Sequence, residues 1–126
     1  MKIASLIARV LLGLIFLVFG LNGFLHFIPM PPPKGAAAQF MGALFASSYW
    51  RIIFGVQVLG GLLLLVNRFV PLALAMLGAV IVNIVFFHIF MAPSGLPLAI
   101  LVVLLWSIVA VRNKQHLAGL FVARSE

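Results

Sequence analysis

Residues 3–33, IASLIARVLLGLIFLVFGLNGFLHFIPMPPP, decide the architecture. The run from Ile3 to Ile28 is apolar for longer than the roughly 20 residues a helix needs to cross the hydrocarbon of a bilayer. It ends on Pro29, Pro31, Pro32 and Pro33, whose missing backbone donor and steric clash with the preceding turn stop a helix. A secretory signal has a shorter apolar region and a small-x-small cleavage site, so this run reads as a retained first helix. Asn22 and His26 fall one turn apart near its end, on one helical face. Arg9 is expected to snorkel back to the interface, and Gly13 and Gly20 to admit a neighbouring helix.

The rest of the composition agrees. Of 126 residues, 66% are hydrophobic and 7% charged, too few charges to cover the surface of a soluble domain. The chain is read as one integral membrane domain over residues 1–126. Its formal charge of +7 comes from basic residues placed singly between apolar runs. Such spacing offers no stripe to track a phosphate backbone, which excludes a nucleic-acid partner. Without cysteine there is no disulfide, thiolate nucleophile or CxxC pair. Glu126 is the only carboxylate side chain, so paired-carboxylate catalysis, carboxylate metal sites and an Asp or Glu proton relay are excluded. What remains is a protein that is not an enzyme alone, or a subunit of an oxidoreductase complex.

Residues 36–48 are short, nearly uncharged, and carry Phe40, Met41, Leu44 and Phe45 on one face, the pattern of an interfacial or re-entrant helix. Tyr49 and Trp50 mark a membrane–water boundary. Further spans are expected over residues 51–66, 70–90 and 96–111. Asn67-Arg68-Phe69 is a tight connection, Pro71 suits the first turn of the third span, and Ala75, Gly78 and Ala79 offer small-residue contacts. The expected fold class is therefore all-α, a multi-pass four-helix bundle within a membrane. Both termini are placed in the cytoplasm. That orientation puts Lys2, Arg9, Arg68, Arg112, Lys114 and Arg124 inside, and only Lys34 and Arg51 outside. His116, in the tail, reads as a solvated surface group.

In this topology Asn22, His26, Asn83 and His88 approach the outer ends of the first and third spans. Gln57 lies about 9 Å below Arg51 on the inward-running second span. These five are the candidate ligand-binding residues, with the proline loop and the interfacial helix placed to act as a lid. On a regular helix His88 is rotated about 140° from Asn83, so without a π-bulge only one of them faces the bundle axis.

The segments ARVLLGLIFLVFGLNGF, HFIPMPPP, GGLLLLVNRFVPLAL and VNIVFFHIFMAPSGLPLAI stand in the same order as in the DoxX-like small membrane proteins of bacteria. The chain resembles them from Ala8 to His116. The resemblance implies a four-helix membrane bundle, related in shape to quinone-dependent disulfide-forming enzymes. It also implies service to a redox or oxidative-stress partner, since the family takes its name from a subunit of a thiosulfate:quinone oxidoreductase. It further implies an acidic residue where this chain has Gln57, which removes any protonatable role there.

Three functions stay open. The first is a membrane subunit or binding module for a quinone or other lipophilic ligand, in which His26 or His88 pairs with a carbonyl and the three amides complete the cradle. The second is a b-type haem protein with His26 and His88 as axial ligands. The third is a carrier of a neutral solute working as a homo-oligomer.

Overall fold

The computed structural model describes residues 2–29 and 32–123. The loop proline Pro31, the basic Arg124 and the lone carboxylate of Glu126 lie outside the described residues. Among the described residues six α-helices follow one another: α1 (Lys2–Leu25), α2 (Gly35–Ser47), α3 (Trp50–Val66), α4 (Val70–Phe90), α5 (Leu96–Arg112) and α6 (Lys114–Leu117). Short 3-10 turns at Pro93–Gly95 and Ala118–Phe121 complete the regular structure, and no strand occurs among the described residues. The interfacial segment expected over 36–48 is α2, and it meets α3 at a 90° bend.

Three helical segments, Lys2–Leu25, Val70–Phe90 and Pro93–Arg112, are long and apolar enough to cross a membrane; the bent pair α2–α3 makes a fourth if counted as one span. The 17 residues of α3 reach only about 26 Å at 1.5 Å each, short of the roughly 30 Å of hydrocarbon. The outward faces are predominantly apolar: Leu14 is 44% exposed, Leu62 46%, Val82 54% and Leu104 57%. A surface of that kind fits contact with lipid and not with water.

Neighbouring long helices run antiparallel. The stripe Trp50, Phe54, Gln57, Gly61 and Leu64 of α3 recurs at helical spacing and faces α1. There Gly13 lies against Gly61 and Leu64, Gly20 against Gln57 and Val58, and Gly23 against the ring of Phe54. On its other side α3 meets α4, with Gly60 under Leu77. α4 pairs with α5 and α5 returns to α1. The apolar core is asymmetric along this axis. It comprises Leu12 and Phe16 of α1, Leu64 of α3, Leu74 and Leu77 of α4, and Leu105 and Val109 of α5. Most of the core lies toward the Lys2 end, where α1 begins, and Phe16, Ile81 and Val102 carry it to the middle of the helices. Toward the opposite, Trp50 end, α4 beyond Ile81 has no buried residue.

Two expectations change in detail. α1 ends at Leu25 rather than 28, because His26 takes a left-handed φ of 53° and leaves the helix. Asn22 then caps the exit: its carbonyl accepts from His26 N at 2.8 Å and its Oδ1 accepts from Ile28 N at 2.7 Å. Of the small residues of α4, Gly78 does accept a neighbour, Trp106, but Ala75 and Ala79 are exposed and the buried alanine is Ala73.

Candidate functional site

The candidate residues divide into those that meet and those that do not. Asn22 and Gln57 are both buried, at 9% and 7% exposure, on the helix pair α1–α3 near the Trp50 end. They can be buried there because Gly20 brings the α1 backbone against the Cβ of Gln57. No buried side-chain nitrogen or oxygen among the described residues lacks a partner. The Gln57 amide makes no hydrogen bond to a described residue. It is the one polar side chain of the five placed inside and still able to serve a ligand through both its donor and its acceptor.

His26 stands beside this pair but not on the helical face shared with Asn22 that its spacing suggested. The left-handed residue at the end of α1 turns it out to the surface, where its ring lies 6.2 Å from that of Phe45. Asn83 faces away: it is exposed, and its Nδ2 donates to the carbonyl of Ala79 at 2.9 Å. In an apolar surrounding this bond back to its own helix satisfies one of its donors without a partner helix. His88, by contrast, is half-buried, so the 140° rotation between the two is realised with His88 as the inward member. Its Nδ1 donates to the Ile84 carbonyl at 2.8 Å, which places a proton on Nδ1. Its Nε2 edge lies over Gly95, where an added Cβ would collide with the ring.

That seat makes a sharp expectation. Gly95→Ala drives the imidazole off Gly95 and breaks the His88–Ile84 bond, costing about 1 kcal/mol through the lost bond alone. Gly42→Ala, inside α2 with nothing within 4 Å, is neutral to about 1 kcal/mol stabilising through helix propensity. Thermal midpoints of the two variants in one detergent read the difference. The same seat opposes axial ligation by His88, since the Nε2 lone pair needed for iron is covered by the turn. Among the described residues no group of three His, Cys, Asp or Glu side chains is placed to hold a metal ion.

The Trp50 end carries a further layer of side chains. Phe24, Phe45, Trp50 and Phe54, drawn from α1, α2 and α3, form one aromatic cluster. Trp50 lies 5.3 Å from Phe24 and 5.6 Å from Phe45, the latter stacked, and Phe54 lies 6.4 Å from both Phe45 and Trp50. Their edges and faces meet in the offset and tilted arrangements that aromatic quadrupoles prefer. Arg51 lies with its guanidinium carbon 5.5 Å from the Trp50 ring centre, a cation–π contact at the start of α3. A separate pair, Phe40 and Phe87 at 5.4 Å, ties α2 to α4. The 90° bend between α2 and α3 is what folds Phe45 back over Trp50 and Phe54.

This cluster was missed by reading the polar residues alone. Its signal is nevertheless in the chain: Trp50, Phe54 and Gln57 are at i, i+4 and i+7, one stripe of aromatic groups leading to one amide. Together the elements make an apolar, aromatic surround with a buried carboxamide at its base, which can stack on a flat ligand and hydrogen-bond one carbonyl or hydroxyl of it. Compared with models of known families, with curated proteins and with solved structures, the chain finds no match.

Proposed function

We propose that the chain is a four-span bundle of the DoxX-like kind in a bacterial inner membrane. Both termini lie in the cytoplasm, and the outer end receives a quinone or similar lipophilic ring for a redox partner. The observation that carries the reading is Gln57, a buried residue whose amide makes no hydrogen bond to a described residue, next along α3 from the aromatic cluster of Phe24, Phe45, Trp50 and Phe54. Apolar walls with one or two convergent polar groups suit such a ligand. The orientation is supported by the basic residues: Lys2, Arg9, Arg68, Arg112 and Lys114 belong to the Lys2 end, Lys34 and Arg51 to the other. With no thiol and no carboxylate beside Gln57, electron transfer is left to the partner, and this chain holds and orients the ring. Asn22 braces the floor, and His26 stands at the rim within reach of a ligand that extends past Phe45.

The test is a titration of purified protein with a short-chain benzoquinone, read by quenching of Trp50 fluorescence in a Trp106→Phe background. Gln57→Leu is expected to weaken binding about ten-fold, the worth of one well-made buried hydrogen bond. Trp50→Phe abolishes the quenching signal and identifies its source. His88→Ala and Asn83→Leu leave the affinity within two-fold. Equal binding by the parent and Gln57→Leu would refute the assignment. A Soret band in the purified protein, lost with His26→Ala, would replace it by the haem alternative.

A further inference from the structure

At the Lys2 end a cavity of about 410 Å³ opens between the start of α1, the α3–α4 turn and the end of α5. Its polar lining includes Lys2, Arg9 and Arg112 together with Asn67. Its walls include Ile3, Leu6 and Val70. Arg9 is held rather than free: its Nη1 donates to the carbonyl of Leu64 in the last turn of α3, where the helix dipole favours a cation. This replaces the expected snorkelling with a fixed, half-buried charge inside the bundle. The guanidinium has five N–H donors, so several remain for the cavity that it lines.

Three cations converging on one space repel one another, and a half-buried arginine is costly without a counter-charge. The described residues include no acidic side chain, and the single one in the sequence, Glu126, could not balance three cations. The chain carries eight basic residues against it. The balancing anion therefore comes from outside. The cavity sits at the level of the helix ends, where the phosphates of a bilayer lie, and its apolar wall runs from the charges toward the hydrocarbon. We infer that this cavity binds the phosphate of an anionic phospholipid headgroup, with the glycerol and first acyl carbons along Ile3, Leu6 and Val70. The site is at the opposite end from the proposed ring-binding cluster and shares no residue with it.

Protein is reconstituted into nanodiscs of phosphatidylcholine with a minor fraction of phosphatidylglycerol, then released, and retained lipid is counted by native mass spectrometry. Retention of phosphatidylglycerol over phosphatidylcholine is expected. Arg112→Gln and Lys2→Gln, at exposed positions that do not threaten folding, each lower it about five-fold, and Arg9→Gln does so at least as strongly. Arg68→Gln, at the same end but outside the cavity, is the control and leaves retention within two-fold. Equal loss in Arg68→Gln reduces the effect to general surface charge and overturns the site. No preference for phosphatidylglycerol in the parent overturns it as well. Displacement of the lipid by millimolar inorganic phosphate would assign the cavity to a soluble phosphate and overturn the lipid assignment. None of these variants alters benzoquinone binding, so failure here and failure of the ring site are separately visible.

Discussion

Gly61→Leu is expected to leave no folded protein, and Gly61→Ala to cost about 2 kcal/mol. A Cβ at Gly61 would come 2.6 Å from the backbone nitrogen of Leu17 and 2.7 Å from the carbonyl oxygen of Gly13. Both obstacles are main chain, so no rotamer change relieves them and α1 must move away from α3 as a body. That movement also withdraws Gly20 from Gln57 and Gly23 from Phe54, because the three contacts lie along one antiparallel seam. Two comparisons calibrate the effect. At Gly13 an added Cβ meets the Gly61 carbonyl at 3.0 Å, a closer fit than most, so Gly13→Ala is destabilising but less so. Gly55, on the same helix, has nothing within 4 Å, and Gly55→Ala there is neutral to about 1 kcal/mol stabilising through helix propensity. The order of retained monodisperse protein after heating, Gly55→Ala above Gly13→Ala above Gly61→Ala, reads the seam. Equal stability of Gly61→Ala and Gly55→Ala would mean that α1 and α3 do not meet backbone to backbone.

Trp106→Ala is expected to cost about 3 kcal/mol, the low end for a tryptophan truncation because the ring is only half-buried. Its indole Nε1 donates to the Leu74 carbonyl at 2.9 Å, and its ring packs over Gly78, one turn further along α4. The missing side chain at Gly78 is what leaves the Leu74 carbonyl open to a second donor. The loss divides into parts that variants can separate. Trp106→Phe keeps most of the packing and removes only the bond, at about 1 kcal/mol. Gly78→Leu keeps the indole but fills its seat and approaches the effect of Trp106→Ala. Its smaller relative Gly78→Ala places a Cβ 3.3 Å from the ring, a displacement the indole can accommodate by a few tenths of an ångström. Chemical denaturation in mixed micelles measures all four. A Trp106→Phe variant as damaged as Trp106→Ala would place the whole effect in the hydrogen bond.

Much of this was legible in the residues. Hydrophobic run length and proline placement give helices where α1, α3, α4 and α5 stand, and the short segment ending at Tyr49 and Trp50 gives α2. The inward role of Gln57 and Gly61 was readable too, since their spacing puts them on one face of α3. Other features were not. His26 leaves α1 because the chain turns left-handed ahead of the prolines, and helical spacing carries no trace of where a helix stops within a few residues. Asn83 and His88 look equivalent in composition, yet one bonds back to Ala79 on the outer face and the other seats on Gly95. The aromatic cluster depends on the bend that folds α2 onto α3, and an angle between helices is not a local property of either.

By itself, then, the sequence placed the apolar helices to within a few residues and showed the spacing of the basic residues and the absence of cysteine. The helix positions follow from transfer of side chains and backbone between water and hydrocarbon, which each segment obeys independently. Only the tertiary structure decided which face of each helix meets a neighbour, which amide makes no hydrogen bond to a described residue, and that three cations line one cavity. In lipid, faces that touch lipid and faces that touch another helix are equally apolar, so hydrophobicity cannot tell them apart. The choice falls to close fit instead: Gly13 and Gly61 admit backbone to backbone, Gly78 admits an indole, and Arg9 reaches the one carbonyl turn that will hold its charge.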